Sequence, residues 1–318
     1  MVPDGHTSTQ ALADTAALAR RADELGYTRF WVAEHHNMET VASTSPAVLM
    51  AHLAQQTTQI HLGSGGVMLP NHASLAIAEQ FALLEALHPG RVDLGIGRAP
   101  GTDLRTAAVL RRTSDDRDAE DFPRHLLDLM GLLGDVRKDE GLWDRFRATP
   151  VATSYPSVFL LGSSGFSAQL AGLLGLPFVF ANHFDMGGTE QAAQIYRQHF
   201  EPSAILSEPH TIVTASVITA DTAQEAHHLA GPSRLRKFGM RTGQLLPLFS
   251  PADAAAHPHF DAAVEMPTNG IVGTPDEAIT GLEHLADATE ANELMLHVAT
   301  HGLAERLQTI ETIYSHWN

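Results

Sequence analysis

Residues 59–97 read QIHLGSGGVMLPNHASLAIAEQFALLEALHPGRVDLGIG. An apolar run from Gln59 to Leu69 gives way to a helical pattern from about Ala73 to Leu87, a stop at His88-Pro89-Gly90, and a second apolar run from Val92 to Gly97. Two strands joined by a helix pair in parallel, and parallel strands covered on both faces read as continuous apolar runs. The same unit recurs outward in both directions. Upstream, residues 9–25 carry Leu12, Ala16, Ala19, Ala22 and Leu25 at helical spacing, open after Thr7 and Ser8, and stop at Gly26. Arg29 to His36 then reads as a strand, and Ser45-Pro46 opens a helix through Ala54. Downstream, strands are expected at 157–161, 177–181, 211–219 and 293–300, and helices at 122–134, 166–174, 190–200, 221–230 and 303–314. The chain thus offers seven strands, near 29, 59, 92, 157, 177, 211 and 293, each followed by a helix, with one further helix ahead of the first. An α/β fold of the (β/α)8 barrel type, a single domain over 1–318 with its first strand missing, fits that count. An open doubly wound sheet is the alternative, and it requires a reversal of strand order that no sequence pattern displays. Two segments break the alternation, the charged, Thr-rich 101–120 and the aperiodic 231–270, and both read as loop insertions suited to covering a substrate.

Composition removes whole classes of function. Against 20 basic residues stand 37 acidic ones, a net charge of −17, so the surface repels nucleic acid and anionic membranes alike. With no cysteine there is no disulfide, thiolate metal site, iron–sulfur cluster or cysteine nucleophile. The opening MVPDGHTSTQ lacks the basic and apolar regions of a signal peptide, and no stretch supplies about 20 apolar residues for a membrane span, so a cytoplasmic location is expected. Only Lys138 and Lys237 are lysine, the other basic residues being arginine, a mild sign of a GC-rich bacterial genome.

In a barrel the chemistry sits where strands end, and three strand ends carry unusual residues. The first is Glu34-His35-His36-Asn37. Side chains alternate along a strand, so only one of the two histidines points into the mouth, which makes them a poor metal pair and leaves either an acid–base group or polar packing. The second is Gly63-Ser64-Gly65-Gly66-Val67-Met68, where glycines inside a strand mark a bulge or the close approach of a flat ligand. The third is Gly162-Ser163-Ser164-Gly165-Phe166-Ser167, small and hydroxyl-bearing residues at a strand-to-helix turn, where free N–H groups can hold a phosphate and Arg98 could add counter-charge, or where the helix is simply capped. Gly95-Ile-Gly97-Arg98-Ala99-Pro100 is a false dinucleotide fingerprint, with Pro100 where the last glycine belongs. No Gly-x-Ser-x-Gly elbow or Walker A motif occurs.

Taken together, RADELGYTRFWVAEHHNM (21–38), GSGGVMLPNHASLAIAEQFALLEALHPGRVDLGIGRAPGTD (63–103) and LLGSSGFSAQLAGLLGLPFVFANHF (160–184) resemble the bacterial luciferase-like flavin-dependent monooxygenases, in particular their single-chain alkanal-monooxygenase-like branch. The resemblance implies a TIM-type (β/α)8 barrel with flavin mononucleotide (FMN) at its C-terminal mouth. It implies that His35 stands beside the flavin and moves a proton, that Gly65-Gly66 forms a cis peptide beneath the ring with Val67 and Met68 flanking it, and that Arg98, Ser163, Ser164, Gly165 and Ser167 hold the phosphate. It further implies an oxidoreductase that reacts reduced FMN with O2 to a flavin hydroperoxide and oxidises an aldehyde, ketone or similar small organic substrate, with no metal, a separate flavin reductase and a homodimeric assembly. A deazaflavin-dependent dehydrogenase and a non-catalytic flavin-binding homologue are the competing readings. In the resembled family an apolar strand precedes the turn that matches Pro3-Asp4-Gly5, and this departure is why the opening strand is read as missing.

Overall fold

The structure is a computed structural model that describes residues 1–111, 121–184 and 186–317. The apolar runs become strands β1 (Arg29–Val32), β2 (His61–Met68), β3 (Val92–Gly97), β4 (Ser157–Gly162), β5 (Phe178–Phe180), β6 (Thr211–Thr219), β7 (Ile271–Gly273) and β8 (Glu293–His297). All pairs are parallel and β1 to β7 are neighbours in chain order. β6 serves two partners, with Ile212 to Ser216 beside β8 and Val217 to Thr219 beside β7. Among the described residues β1 pairs only with β2 and β8 only with β6, so the curled sheet has a seam between β1 and β8.

Helices α1 (Ser8–Leu25), α2 (Pro46–Ala54), α3 (Ser74–Leu87), α4 (Leu104–Arg111), α5 (Phe122–Leu132), α6 (Gly165–Leu173), α7 (Thr189–Gln198), α8 (Ala223–Arg241), α9 (Pro251–Ala255), α10 (Phe260–Glu265), α11 (Pro275–Thr289) and α12 (Leu303–His316) complete the chain. Their ends follow local chemistry. Thr7 and Gln10 form a reciprocal capping box ahead of α1, which Gly26 ends in the left-handed conformation, and Thr274 with Glu277 does the same ahead of α11. The apolar faces of α1, α2, α3 and α5 meet Leu62, Leu94 and Ile96 of the sheet in one large core. No helix among the described residues is long and apolar enough to cross a membrane.

The structure departs from the sequence reading in four places. It has eight strands rather than seven, because Ile271–Gly273 is a strand too short to register as an apolar run. β1 ends at Val32 rather than His36, the chain having left the sheet by His35, whose N–H bonds to Ser43. Within 101–120, Leu104–Arg111 is helical, with the Asp103 carboxylate accepting the N–H groups of Arg105 and Thr106; residues 112–120 lie outside the described residues. The segment 231–270 is not one insertion: α8 runs through Gly231-Pro232 to Arg241, and α9, α10 and β7 take much of the rest. The Pro232 ring would clash with a Cβ on the preceding residue, and Gly231 has none.

At the N-terminal ends of the strands a polar knot crosses the interior. Arg29 donates through Nη1 to the fully buried Asp93 at 2.6 Å and grips Glu293 with a two-point fork at 2.7 and 2.9 Å. Trp31 Nε1 also donates to Asp93, at 2.9 Å, and His210 meets Glu293 at 3.1 Å. Burial would raise the Glu293 pKa, but the hydrogen bonds and charges of His210 and Arg29 outweigh it and bring it down to about 2. As pH falls, the unfolded chain takes this proton first, so the contribution of Glu293 is complete above its ordinary value of 4.5 and lost by about 2. It amounts to roughly 3 kcal/mol at most. Glu293→Gln is therefore expected to lower the neutral-pH melting temperature by on the order of 5 °C and to flatten the loss of stability between pH 4.5 and 2, read by thermal melts across pH.

Candidate functional site

A cavity of about 1490 Å³ opens at the C-terminal ends of the strands and continues as an apolar cleft along the β1–β8 seam, past Phe30, Leu294 and Ile310. Its volume exceeds the usual range for one small ligand, about 300–1,000 Å³.

His35 lines this cavity. Its Nδ1 lies 2.9 Å from the Gly101 carbonyl, which only accepts, so in the neutral ring the proton sits on Nδ1 and the lone pair on Nε2. Gly101 has φ +65°, and a Cβ on it would stand 2.8 Å from the Glu34 carbonyl, so only glycine presents its oxygen to His35 this way. His36 turns elsewhere. The buried Glu34 receives His36 Nε2 at 2.7 Å and His72 Nε2 at 2.8 Å on one carboxylate oxygen, and the Met68 N–H at 3.0 Å on the other. Burial would raise the Glu34 pKa, but these hydrogen bonds and the charge of His72 bring it below the ordinary value. Glu34, His36 and His72 are metal-ligand types in one cluster, yet their spacing is that of hydrogen bonds, shorter than the roughly 3.3 Å between ligands bound about 2.0 Å from a tetrahedral ion.

The floor is glycine. The β2–β3 register shifts between Ser64 and Val67, and the Gly65–Gly66 peptide is cis. A Cβ on Gly95 would stand 2.1 Å from the Ser64 carbonyl, and one on Gly66 3.0 Å from the Gly95 carbonyl, so the two backbones touch. Gly65, Gly66 and Met68 line the cavity. Val67 does not: its side chain is buried in the main core, on the face opposite its neighbours, which corrects the expectation that it flanks a ring.

At the cavity's edge, Ser163 and Ser164 precede α6, and Ser164 stands at its N-cap without capping it through its side chain. The first-turn N–H groups and these hydroxyls form a donor cradle, and Arg98 lies over the Phe166 ring at 4.4 Å beside it. Ser163, Ser164, Ser167 and Arg98 line the cavity, whereas Gly165 packs toward Ile195 of α7 and contributes backbone alone. Hydroxyls, N–H groups and one guanidinium are the donor set that suits a phosphate monoester.

Sequence reasoning missed two histidines. His183, past the end of β5, and His297, ending β8, have ring centroids 4.8 Å apart and line the cavity. Thr214 donates to the Phe180 carbonyl at 3.2 Å and so accepts from His183 Nδ1 at 2.8 Å. Burial, with lesser contributions from Lys237 and His35, pushes His183 down to about 4. Burial pushes His297 well down too, helped by His183, Lys237 and Arg236, so both imidazoles are neutral near pH 7. Their position at strand ends was the available signal.

Comparison with known proteins gives the family. A family model described as luciferase-like monooxygenase matches residues 2–291. The chain is 40% identical to a luciferase-like monooxygenase of Escherichia coli, over 98% of this chain and 92% of the relative. It is 34% identical to the N-acetyl-S-alkylcysteine monooxygenase of Bacillus subtilis, over 96% and 92%. The crystal structure of apo-MsnO8 superposes with a TM-score of 0.90 at 36% identity, covering 99% of this chain and 94% of that one. At 19% identity, the oxygenating constituent of a 3,6-diketocamphane monooxygenase in complex with FMN shares the fold (TM-score 0.71, coverage 99% and 94%). So, at 16%, does an F420-dependent secondary alcohol dehydrogenase (0.66, 97% and 96%). The chain belongs to the luciferase-like monooxygenase family, and is an oxidoreductase of that family.

Proposed function

We propose that this chain holds reduced FMN at the barrel mouth and uses it with molecular oxygen to oxidise a small organic substrate, the reduced flavin being delivered by a separate reductase. The observation that carries this reading is the meeting, in one cavity, of a floor without side chains, a phosphate-type donor cradle at its edge, and a histidine with a fixed tautomer. The residues fit the group: any Cβ at Gly66 or Gly95 would press on the neighbouring backbone, and their absence leaves a flat surface for a planar ring. Gly65, Gly66 and Met68 would lie against the ring, and Arg98, Ser163, Ser164 and Ser167, with the Gly165 N–H, would hold the phosphate. When bound, FMN supplies the redox chemistry with oxygen, which no protein side chain can.

The chain's own part is positioning, proton handling and exclusion of water. His35 Nε2 accepts a proton and returns it while the Gly101 carbonyl keeps Nδ1 protonated and the ring oriented. The neutral His183 adds polarity to the wall without a charge. The apolar lining, Leu161 and Val179 among it, keeps bulk water from the reacting centre. A deazaflavin in place of FMN is the competing cofactor, since fold neighbours include an F420-dependent enzyme; the compact cradle with one arginine favours the single phosphate of FMN. Val48 on α2 and Leu83 and Leu87 on α3 are 71%, 49% and 58% exposed, and this apolar face supports a homodimer.

Anaerobic titration with reduced FMN tests the reading, and failure to bind overturns it. Arg98→Ala is expected to raise the FMN dissociation constant about 10- to 100-fold, as loss of a charged hydrogen-bond donor does. His35→Ala should bind FMN yet lose about 100-fold or more in substrate oxidation, measured by oxygen uptake against product formed; an unimpaired variant would remove His35 from proton transfer. Leu87→Glu is expected to convert a dimer to a monomer in light scattering, and a monomeric parent chain would refute the dimer.

A further inference from the structure

One hydroxyl decides what His183 can do. A hydroxyl has one hydrogen to give and two lone pairs with which to receive. Thr214 gives its hydrogen to the Phe180 carbonyl at 3.2 Å, and it receives both the backbone N–H of His183 at 3.1 Å and the ring Nδ1 at 2.8 Å. Its capacity is then full. In the neutral His183 ring the proton therefore sits on Nδ1 and the lone pair on Nε2. The plane of the ring is set by Phe184 and His297, with centroids 4.3 and 4.8 Å away. Among the described residues Nε2 has no hydrogen-bond partner, and it is not one of the unpartnered atoms sealed inside the protein, so it opens on the cavity that His183 lines.

The fold sets this lone pair apart from the glycine floor. Gly65, Gly66 and Gly95 belong to β2 and β3, whereas His183 follows β5, Thr214 lies on β6, and His297 pairs with Ser216 across β6 and β8. In the strand order β4 separates the two groups, and the curl of the sheet puts them on different sides of the mouth. A planar ring laid on the glycine floor leaves the β5–β6–β8 side to a second molecule. The lining from β5 and β8 is largely apolar there, Val179 and Met295 among it. An acceptor in such surroundings loses water when a ligand enters and regains a hydrogen bond only if the ligand brings a donor, which is how a polar group in an apolar site discriminates between near-isosteres.

We propose that His183 Nε2 selects the substrate, so that the molecule oxidised carries an O–H or N–H group turned toward the β5–β6 wall, with Thr214 as the positioning residue that fixes the tautomer. This deepens the reading given under Proposed function and rests on it for the reaction, though not for the binding.

The probes are 1-hexanol and methyl pentyl ether, isomers that both accept a hydrogen bond while only the alcohol donates one. They are titrated, with and without FMN, into protein isotopically labelled at its histidine nitrogens and followed by NMR. The His183 signal, identified by its loss in His183→Phe, is expected to report a proton on Nδ1. The alcohol is expected to bind about 3- to 10-fold tighter than the ether, the worth of one hydrogen bond, whether or not FMN is bound. His183→Phe should abolish that preference and leave ether and FMN binding unchanged. Thr214→Val should move the proton toward Nε2 and shrink the preference, and Thr214→Ser should keep both as in the parent. Equal binding of the isomers by the parent protein overturns the proposal, as does a parent ring protonated on Nε2, a preference that survives His183→Phe, or a parallel loss of both probes in that variant. A preference that vanishes once FMN is bound gives Nε2 to the flavin and overturns it too. Failure of FMN to bind would sink the flavin reading alone, since the comparison in FMN-free protein still decides the role of Nε2.

Discussion

The contact on which the mouth depends is one between two backbones: the Ser64 carbonyl of β2 occupies the place where a Cβ on Gly95 of β3 would be, 2.1 Å away. With the strands this close, β2 slips register before Val67, and the chain emerges with the Met68 N–H aimed at Glu34. Glu34, already committed by that bond, gathers His36 and His72 onto its other oxygen. His36 is thereby drawn toward packing, and His35, one residue away, is left to face the cavity and find the Gly101 carbonyl. A larger residue at 95 would disturb the floor and, through Glu34, the orientation of a histidine two strands away.

Much of this was legible in the amino-acid order. The strand–helix alternation gave the parallel sheet, and the histidine, glycine and serine signals at three strand ends point into one cavity because a curled parallel sheet brings its C-terminal ends together. What stayed hidden had physical causes. Three residues at Ile271–Gly273 make a strand only because β6 is long enough to offer its last turn of ladder to them. Gly231-Pro232 looks like a helix stop, yet the glycine removes the clash of the ring with the preceding Cβ, and the helix runs through at the cost of the hydrogen bond that proline cannot donate. His183 and His297 are 114 positions apart in sequence and meet only through β5, β6 and β8, so no local pattern announces them. Val67 shows the reverse error, a residue correctly placed beside functional neighbours whose side chain the strand's alternation turns away.

Charge is distributed inside out relative to composition. The acidic excess lies on the surface, where solvent screens it, and the cavity collects arginines and one of the chain's two lysines. An acidic exterior disfavours adventitious polyanions.

The fork between Arg29 and Glu293 has a consequence for the seam. Among the described residues β1 and β8 exchange no backbone hydrogen bonds, and a ladder, where present, could slide by two residues and find equivalent partners. A bidentate guanidinium–carboxylate pair has no such equivalent position: it matches at one offset alone. Arg29, anchored from the other side by Asp93, therefore acts as a vernier stop that sets the shear between the first and last strands. Breathing of the cleft above it is confined to hinging about that point rather than sliding.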